Sequence, residues 1–204
     1  MKTLLIKYLP SGEQSNTKKL LNLFLQELKN IQIQELDLLK ASIPIFNETS
    51  LAAYSKRNYM NQSLTETEAR SLSQQDQLIA QIKAVDILVM AYPMHNFGMP
   101  GIVKSYLDSI LFNGETFAYG KKLMAGKKVL TLFTSGGLYP QDYASVEYPH
   151  WDTLTQTSKI NFNFMGFDEV EVLGTSLRDP KQAEARLQEL QEKIRALTQR
   201  WYKN

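Results

Sequence analysis

Apolar positions along this chain follow two rhythms. Short unbroken runs alternate with longer stretches in which apolar residues return every three or four positions. The first rhythm belongs to strands buried on both faces, and the second to helices with one apolar face. Strands are predicted over Thr3 to Tyr8, Ile31 to Asp37, Val85 to Met90, Lys128 to Phe133 and Glu169 to Val172. Helices are predicted between them. Asn16 to Lys29 carries Leu20, Leu21, Phe24, Leu25 and Leu28 on one face. Thr65 to Ile82 opens with Thr65-Glu66-Thr67-Glu68, the sequence form of a capping box, in which hydroxyl and carboxylate each satisfy an orphan N–H. Ile102 to Leu107, Asp152 to Phe164 and Pro180 to Trp201 complete the set. In the last, Leu187, Leu190, Ile194, Leu197 and Trp201 form a stripe; a coiled coil would share it, and a helix packed on a sheet is the expectation. Asn47 to Ser63 is polar and lacks clear periodicity, so it reads as a long excursion beside a ligand crevice or as a surface loop.

Strand and helix alternating five times imply an α/β fold, a doubly wound parallel sheet with helices on both faces. Five strands suggest the order 2-1-3-4-5, the flavodoxin-like arrangement. With 204 residues and 43% hydrophobic composition, one domain spanning residues 1–204 is the expectation. Ligands of such sheets bind beyond the carboxyl ends of the strands, at the switch point between strands 1 and 3. The loops after strands 1, 3 and 4 are therefore where chemistry should be sought.

Charge and composition narrow that chemistry. Lys and Arg number 23 against 21 Asp and Glu, a balance that advertises neither nucleic acid nor an anionic membrane as partner. The expected partner is a small molecule. Cysteine is absent, which removes thiolate nucleophiles, disulfides and cysteine metal sites. His95 and His150 alone give little material for zinc, and no metal is expected. The opening MKTLLIKYLP is too short an apolar run for a signal peptide, and no window approaches a membrane span, so a cytoplasmic location is expected.

The first loop, Leu9-Pro10-Ser11-Gly12-Glu13-Gln14-Ser15-Asn16-Thr17, runs straight into a helix. Hydroxyls, free N–H groups and the positive end of a helix dipole suit a phosphate there. The terminus alone contributes only about 0.3–1 kcal/mol, so hydrogen bonds from Ser15, Asn16, Thr17 and the backbone must do most of the holding. Ser15 as a plain helix cap fits the spacing equally well. Neither a P-loop nor a G-x-G-x-x-G is present. In the second loop, Pro93 and Pro100 stiffen the path, and Gly98 allows close approach or a positive φ. Met94, His95 and Phe97 would then offer a surface to a flat ring, although taken singly His95 reads as an ordinary loop histidine and Phe97 as core. The third loop, Phe133-Thr134-Ser135-Gly136-Gly137-Leu138-Tyr139, places two glycines after a buried strand, where backbone can approach a ligand or make a tight turn. Three such loops at one sheet edge suit a flavin mononucleotide.

Pro10 to Thr17, Pro93-Met94-His95-Asn96-Phe97, Gly114-Glu115-Thr116-Phe117-Ala118-Tyr119 and Ser135-Gly136-Gly137 resemble, in order and spacing, the motifs of FMN-dependent NADH-azoreductases, also described as NADH:quinone oxidoreductases. The resemblance implies a flavodoxin-like homodimer with one FMN per subunit near the interface. It places Ser15, Asn16 and Thr17 on the phosphate. Pro93, Met94, His95, Asn96 and Phe97 would hold the ring, with Ser135, Gly136 and Gly137 at its other edge. Tyr119 and Phe164 would shape the substrate pocket, partly from the partner subunit. Leu9 stands where the family usually has serine, and His95 where it commonly has tyrosine.

The activity so implied passes two electrons from NADH, with NADPH the alternative donor, through FMN to quinones and azo compounds in a ping-pong cycle. Backbone N–H groups of Gly136 and Gly137 would stabilise charge near N1 of the reduced ring, and His95 would donate a proton to the reduced substrate or only hydrogen-bond the flavin. Lys56 and Arg57 could meet the 2′-phosphate of NADPH or be plain surface charge. A flavodoxin-type electron carrier and a flavin-free binding module on the same fold are the competing readings.

Overall fold

A computed structural model of the chain describes residues 1–28, 31–137 and 152–202. His150, Leu138 and Tyr139 lie outside the described residues. Five strands form one parallel sheet: β1 (Thr3–Lys7), β2 (Ile33–Asp37), β3 (Ile87–Pro93), β4 (Lys128–Ser135) and β5 (Glu169–Ser176). Their order is β2-β1-β3-β4-β5, as the alternating pattern predicts. Among the described residues, six α-helices accompany them: α1 (Asn16–Glu27), α2 (Glu48–Asn58), α3 (Glu66–Lys83), α4 (Gly101–Ile110), α5 (Thr153–Met165) and α6 (Pro180–Tyr202).

Alternation along each strand divides the core between the two faces. Leu5, Val89, Leu130 and Leu132 pack with Leu21 and Phe24 of α1 and with Ile194, Leu197 and Trp201 of α6. Leu4, Ile6, Leu88, Met90, Tyr92 and Phe133 face the other way, against Leu72 and Ile79 of α3, Val103 and Leu107 of α4, and Phe162 of α5. The stripe of the last helix is thus a sheet-packing face.

Two differences from the sequence pattern bear on the site. β3 and β4 run on past Met90 and Phe133, because Tyr92 pairs with Phe133 and Pro93 with Thr134 in the parallel ladder. Polar and proline residues at the strand ends conceal this continuation. Asn47 to Ser63 is neither an irregular excursion nor a loop throughout, since Glu48–Asn58 is helical. The helix is capped from its own sequence: the Ser50 N–H donates to Asn47 Oδ1 at 2.9 Å, and the Asn47 N–H donates to Ser50 Oγ at 2.9 Å. Only Ser50 and Ala53 of α2 are buried, so no apolar periodicity announces it. The Thr65 capping box of α3 forms as expected, with the Thr65 N–H donating to Glu68 Oε2 at 2.7 Å. None of the described helices is long and apolar enough to cross a membrane.

Candidate functional site

The three loops meet beyond the carboxyl ends of β1, β3 and β4, and Thr134 is where they join. Its hydroxyl lies 2.7 Å from that of Thr17, in the interior. Its carbonyl accepts from the Met94 N–H at 2.8 Å. One residue at the end of β4 therefore ties the start of α1 to the loop after β3. The Tyr8 N–H adds a bond to the Ala91 carbonyl at 2.9 Å, and the Tyr8 ring meets that of His95 edge-on at 5.9 Å.

In the first loop Gly12–Gln14 forms a single 3-10 turn, entered with Gly12 at φ +52°. Ser15 caps α1, accepting from the Lys18 N–H at 3.3 Å. Asn16 is half-buried, and Thr17 is fully buried with its hydroxyl committed to Thr134. Leu9 turns into the core packed by α1 and α6, where the serine usual in the resembling family would be poorly served. Lys18 pairs with Glu13.

The second loop has an unusual backbone. The His95 N–H donates to the Gly98 carbonyl at 3.0 Å, and the Gly98 N–H returns a bond to the His95 carbonyl at 2.9 Å. The two residues between them, Asn96 and Phe97, have φ of +47° and +65°. Positive φ at both central positions marks a type I′ turn. The sequence allows Gly98 either a close approach or a positive φ; the positive φ falls on its two predecessors, and a Cβ on Gly98 would stand 3.9 Å from the His95 carbonyl oxygen. Asparagine tolerates that region, whereas phenylalanine pays about 1–2 kcal/mol for it. External contacts offset the cost: Thr153 at the start of α5 donates its hydroxyl to the Phe97 carbonyl. Phe97, read singly as core, is 49% exposed, and His95 and Asn96 are exposed beside it. Pro93 and Met94 are half-buried, and Pro100 precedes the first turn of α4.

In the third loop Ser135 is buried and accepts from the Gly137 N–H at 3.2 Å. A Cβ placed on Gly12, Gly136 or Gly137 would meet no described atom within 4 Å. Neither Gly136 nor Gly137 has positive φ. Space in front of the backbone, and not conformation, is what these two glycines provide.

Tyr119 and Phe164 come together in a cluster of their own with Phe117. Ring centroids lie 4.8 Å apart for Phe117–Phe164 and 5.8 Å for Tyr119–Phe164. Phe117 is buried, whereas Tyr119 is 81% exposed and Phe164 41%. Ile160, one turn before Phe164 on α5, is also exposed. Lys56 and Arg57 are occupied: Lys56 binds Glu68, and Arg57 forms a fork to Asp76 at 2.8 and 2.9 Å.

A cleft of about 490 Å³ by Lys2, Gln32 and Val85 lies away from these loops, and one of about 510 Å³ runs along β5 and α6 past Asp152 and Thr175. The first is at the opposite end of the sheet, so cavity size does not mark the site here; the convergence of loops does.

A family model described as a flavodoxin-like fold matches residues 1–198. An FMN-dependent NADH:quinone oxidoreductase 1 of Bacillus cereus is 30% identical over 198 residues, covering 89% of this chain and 90% of its own. The chain belongs to the FMN-dependent NADH:quinone oxidoreductase family. Another member, from Vibrio vulnificus, is 34% identical over 167 residues, 78% of each chain. The crystal structure of an FMN-dependent NADH-azoreductase from Bacillus anthracis str. Ames Ancestor in complex with FMN superposes with a TM-score of 0.80 at 25% identity, covering 97% of this chain and 99% of the other. The family that the motifs resemble is thus the one to which the chain belongs. Sequence reasoning in this oxidoreductase overlooked Thr134 and Thr153, and only the pairing of β3 with β4 could have pointed to the first.

Proposed function

We propose that this chain is an FMN-dependent oxidoreductase that takes two electrons from NADH and delivers them to quinones and azo compounds in a ping-pong cycle. The observation that carries the reading is the tethering of three loops at Thr134, with open ground before Gly12, Gly136 and Gly137. That ground suits a flat ring whose phosphate reaches the start of α1. FMN, when bound, supplies the chemistry by accepting hydride and passing electrons on.

The protein's own residues have binding and orienting tasks. Ser15, Asn16 and the N–H groups opening α1 hold the phosphate, while buried Thr17 fixes that cradle to β4. Pro93, Met94, His95, Asn96 and Phe97 form one wall against the ring, and Ser135, Gly136 and Gly137 bound its other edge. The N–H groups of Gly136 and Gly137 serve charge near N1, that of Gly137 by giving up its bond to Ser135 Oγ. His95 stands at the exposed rim as the proton donor to the reduced acceptor. Tyr119 and Phe164 form an aromatic wall for the acceptor, and the exposed patch of Tyr119, Ile160 and Phe164 supports a homodimer in which that wall serves the partner's flavin. With Lys56 and Arg57 held by acidic partners, NADH is favoured over NADPH as donor.

The test is the visible spectrum of protein incubated with FMN, desalted, and treated anaerobically with NADH. Retained flavin that bleaches, and recovers when a quinone is added, is the expected result. Retained flavin that NADH cannot bleach would make the protein an electron carrier, and loss of flavin on desalting would remove the site assignment.

A further inference from the structure

Two polar side chains of α2, Tyr54 and Asn58, converge on one residue outside it. Asn113 lies just past the end of α4 and opens the segment that carries Phe117 and Tyr119. Asn58 Nδ2 donates to the Asn113 carbonyl at 2.8 Å, and Asn113 Nδ2 donates to the Asn58 carbonyl at 3.0 Å. The Asn113 N–H donates to the Tyr54 hydroxyl at 3.0 Å, which in turn donates to the Tyr59 hydroxyl at 3.3 Å. Three groups of Asn113 are therefore taken by a single short helix.

That helix is itself anchored. Arg57 Nε donates to Asn58 Oδ1 at 3.0 Å, and its other two nitrogens fork onto Asp76 of α3. On the far side, Asn113 leads directly to the aromatic wall. The Gly114 N–H donates to the Phe117 carbonyl at 2.8 Å, Asn113 and Phe117 form a bridge pair, and the Phe117 ring meets that of Phe164 at a tilt of 35°. Lys83 of α3 holds Glu115 in the same segment at 2.8 Å. The chain of contacts is continuous: Asp76, Arg57, Asn58, Asn113, Phe117, Phe164.

We propose that Asn58 and Asn113 are positioning residues, a reciprocal amide clamp by which α2 sets the aromatic wall of the acceptor pocket and with it the preference for extended aromatic acceptors. The proposal rests on the oxidoreductase function proposed above. The two residues suit the task because each donates through its side-chain amide and accepts through its main-chain carbonyl, so the pair fixes one relative placement where an apolar contact would allow sliding. The clamp touches neither the phosphate cradle nor the ring-side turn. Its loss should therefore act on acceptor binding and leave FMN binding and NADH reduction alone.

The test compares wild type with two variants. Asn58→Asp keeps an acceptor for Arg57 and loses the donation to the Asn113 carbonyl, and Asn113→Ala loses the return donation. FMN-loaded protein is assayed with a diaryl azo compound as acceptor and, separately, for its anaerobic reduction by NADH. Fluorine NMR of protein labelled with para-fluorophenylalanine, assigned by single Phe→Leu changes, reports on Phe117 and Phe164 without turnover. In both variants KM for the acceptor should rise by about three- to tenfold, with NADH reduction and FMN Kd within about twofold of wild type. The Phe117 and Phe164 resonances should move. Unmoved resonances with wild-type KM would overturn the clamp, as would equal losses in both half-reactions with weakened FMN binding. If wild type accepts no electrons from NADH, the proposed function falls and the resonances alone decide: shifted, the clamp stands; unmoved, it falls.

Discussion

Between β3 and α4 the chain holds Asn96 and Phe97, two residues other than glycine, in left-handed geometry, while between β2 and α3 it winds an ordinary helix with little apolar periodicity. The turn takes its shape from outside: Thr134 holds Met94, Thr153 holds the Phe97 carbonyl, and Tyr8 lies against His95. The helix carries much of its own support in the Asn47–Ser50 capping box and its forks to α3. The difference teaches where strain can be kept. A turn of four residues can hold unfavourable φ values only where a buried sheet edge over-determines it. A peripheral helix needs no strain and can position a neighbour through polar bonds alone.

Each side of this contrast can be pressed. The largest effect should come from Gly136→Val, which fills the ground before the third loop: FMN affinity falls by about 10–100-fold, equivalent to about 1.4–2.7 kcal/mol, with an unchanged unfolding midpoint. A variant that binds FMN as tightly as wild type would move the ring elsewhere. Thr134→Val leaves the buried Thr17 hydroxyl unpaired and should cost about 1–3 kcal/mol in denaturant unfolding; adding Thr17→Val should restore part of it, because two matched apolar groups leave no orphan. Additive losses would deny the coupling. Asn47→Ala removes the cap of α2 and should cost about 1 kcal/mol with FMN affinity intact. Phe97→Gly relieves left-handed strain but gives up a half-buried ring, so stability should shift by less than about 1 kcal/mol while FMN binding weakens. A large loss of stability would show that the turn is not strained.

The smallest effect is a pH dependence. Lys56 and the Thr65 N–H hold the Glu68 carboxylate below its ordinary range. A depressed folded pKa means stability that is present above the ordinary carboxylate pKa and is lost as pH falls through the depressed one. Acid unfolding of Glu68→Gln should therefore show a shallower slope than wild type, and an identical slope would separate α2 from α3 electrostatically.

Much of the fold could be read from period alone, since Leu4 to Ile6 and Leu88 to Met90 are buried on both faces and show as unbroken runs. The stripes of α1 and α6 were legible for the same reason. The extensions of β3 and β4 through Pro93 and Ser135 were not, because their terminal residues are polar or proline and belong to the strand only through their partners. Helix α2 was hidden because a helix that buries only Ser50 and Ala53 has no stripe to display. The Asn47-x-x-Ser50 spacing was the one local clue. In the candidate site, the residue types along the three loops were visible, and the positive φ that the sequence allows at Gly98 falls on Asn96 and Phe97. Gly98 is free to adopt it, but the paired bonds between His95 and Gly98 require it of the residues between them.

The sequence by itself determined the layers of this protein, the strand count and order, the family motifs and the loops in which to seek a site, because burial periodicity and turn residues are local properties written in neighbouring positions. Only the tertiary structure decided that Thr17 turns inward to Thr134, that Phe97 is held in left-handed geometry, and that Asn58 and Asn113 clasp each other. These depend on hydrogen bonds between residues distant along the chain, and a hydroxyl or an amide looks the same in sequence whether it faces water, a ligand or the partner that folding brings to it.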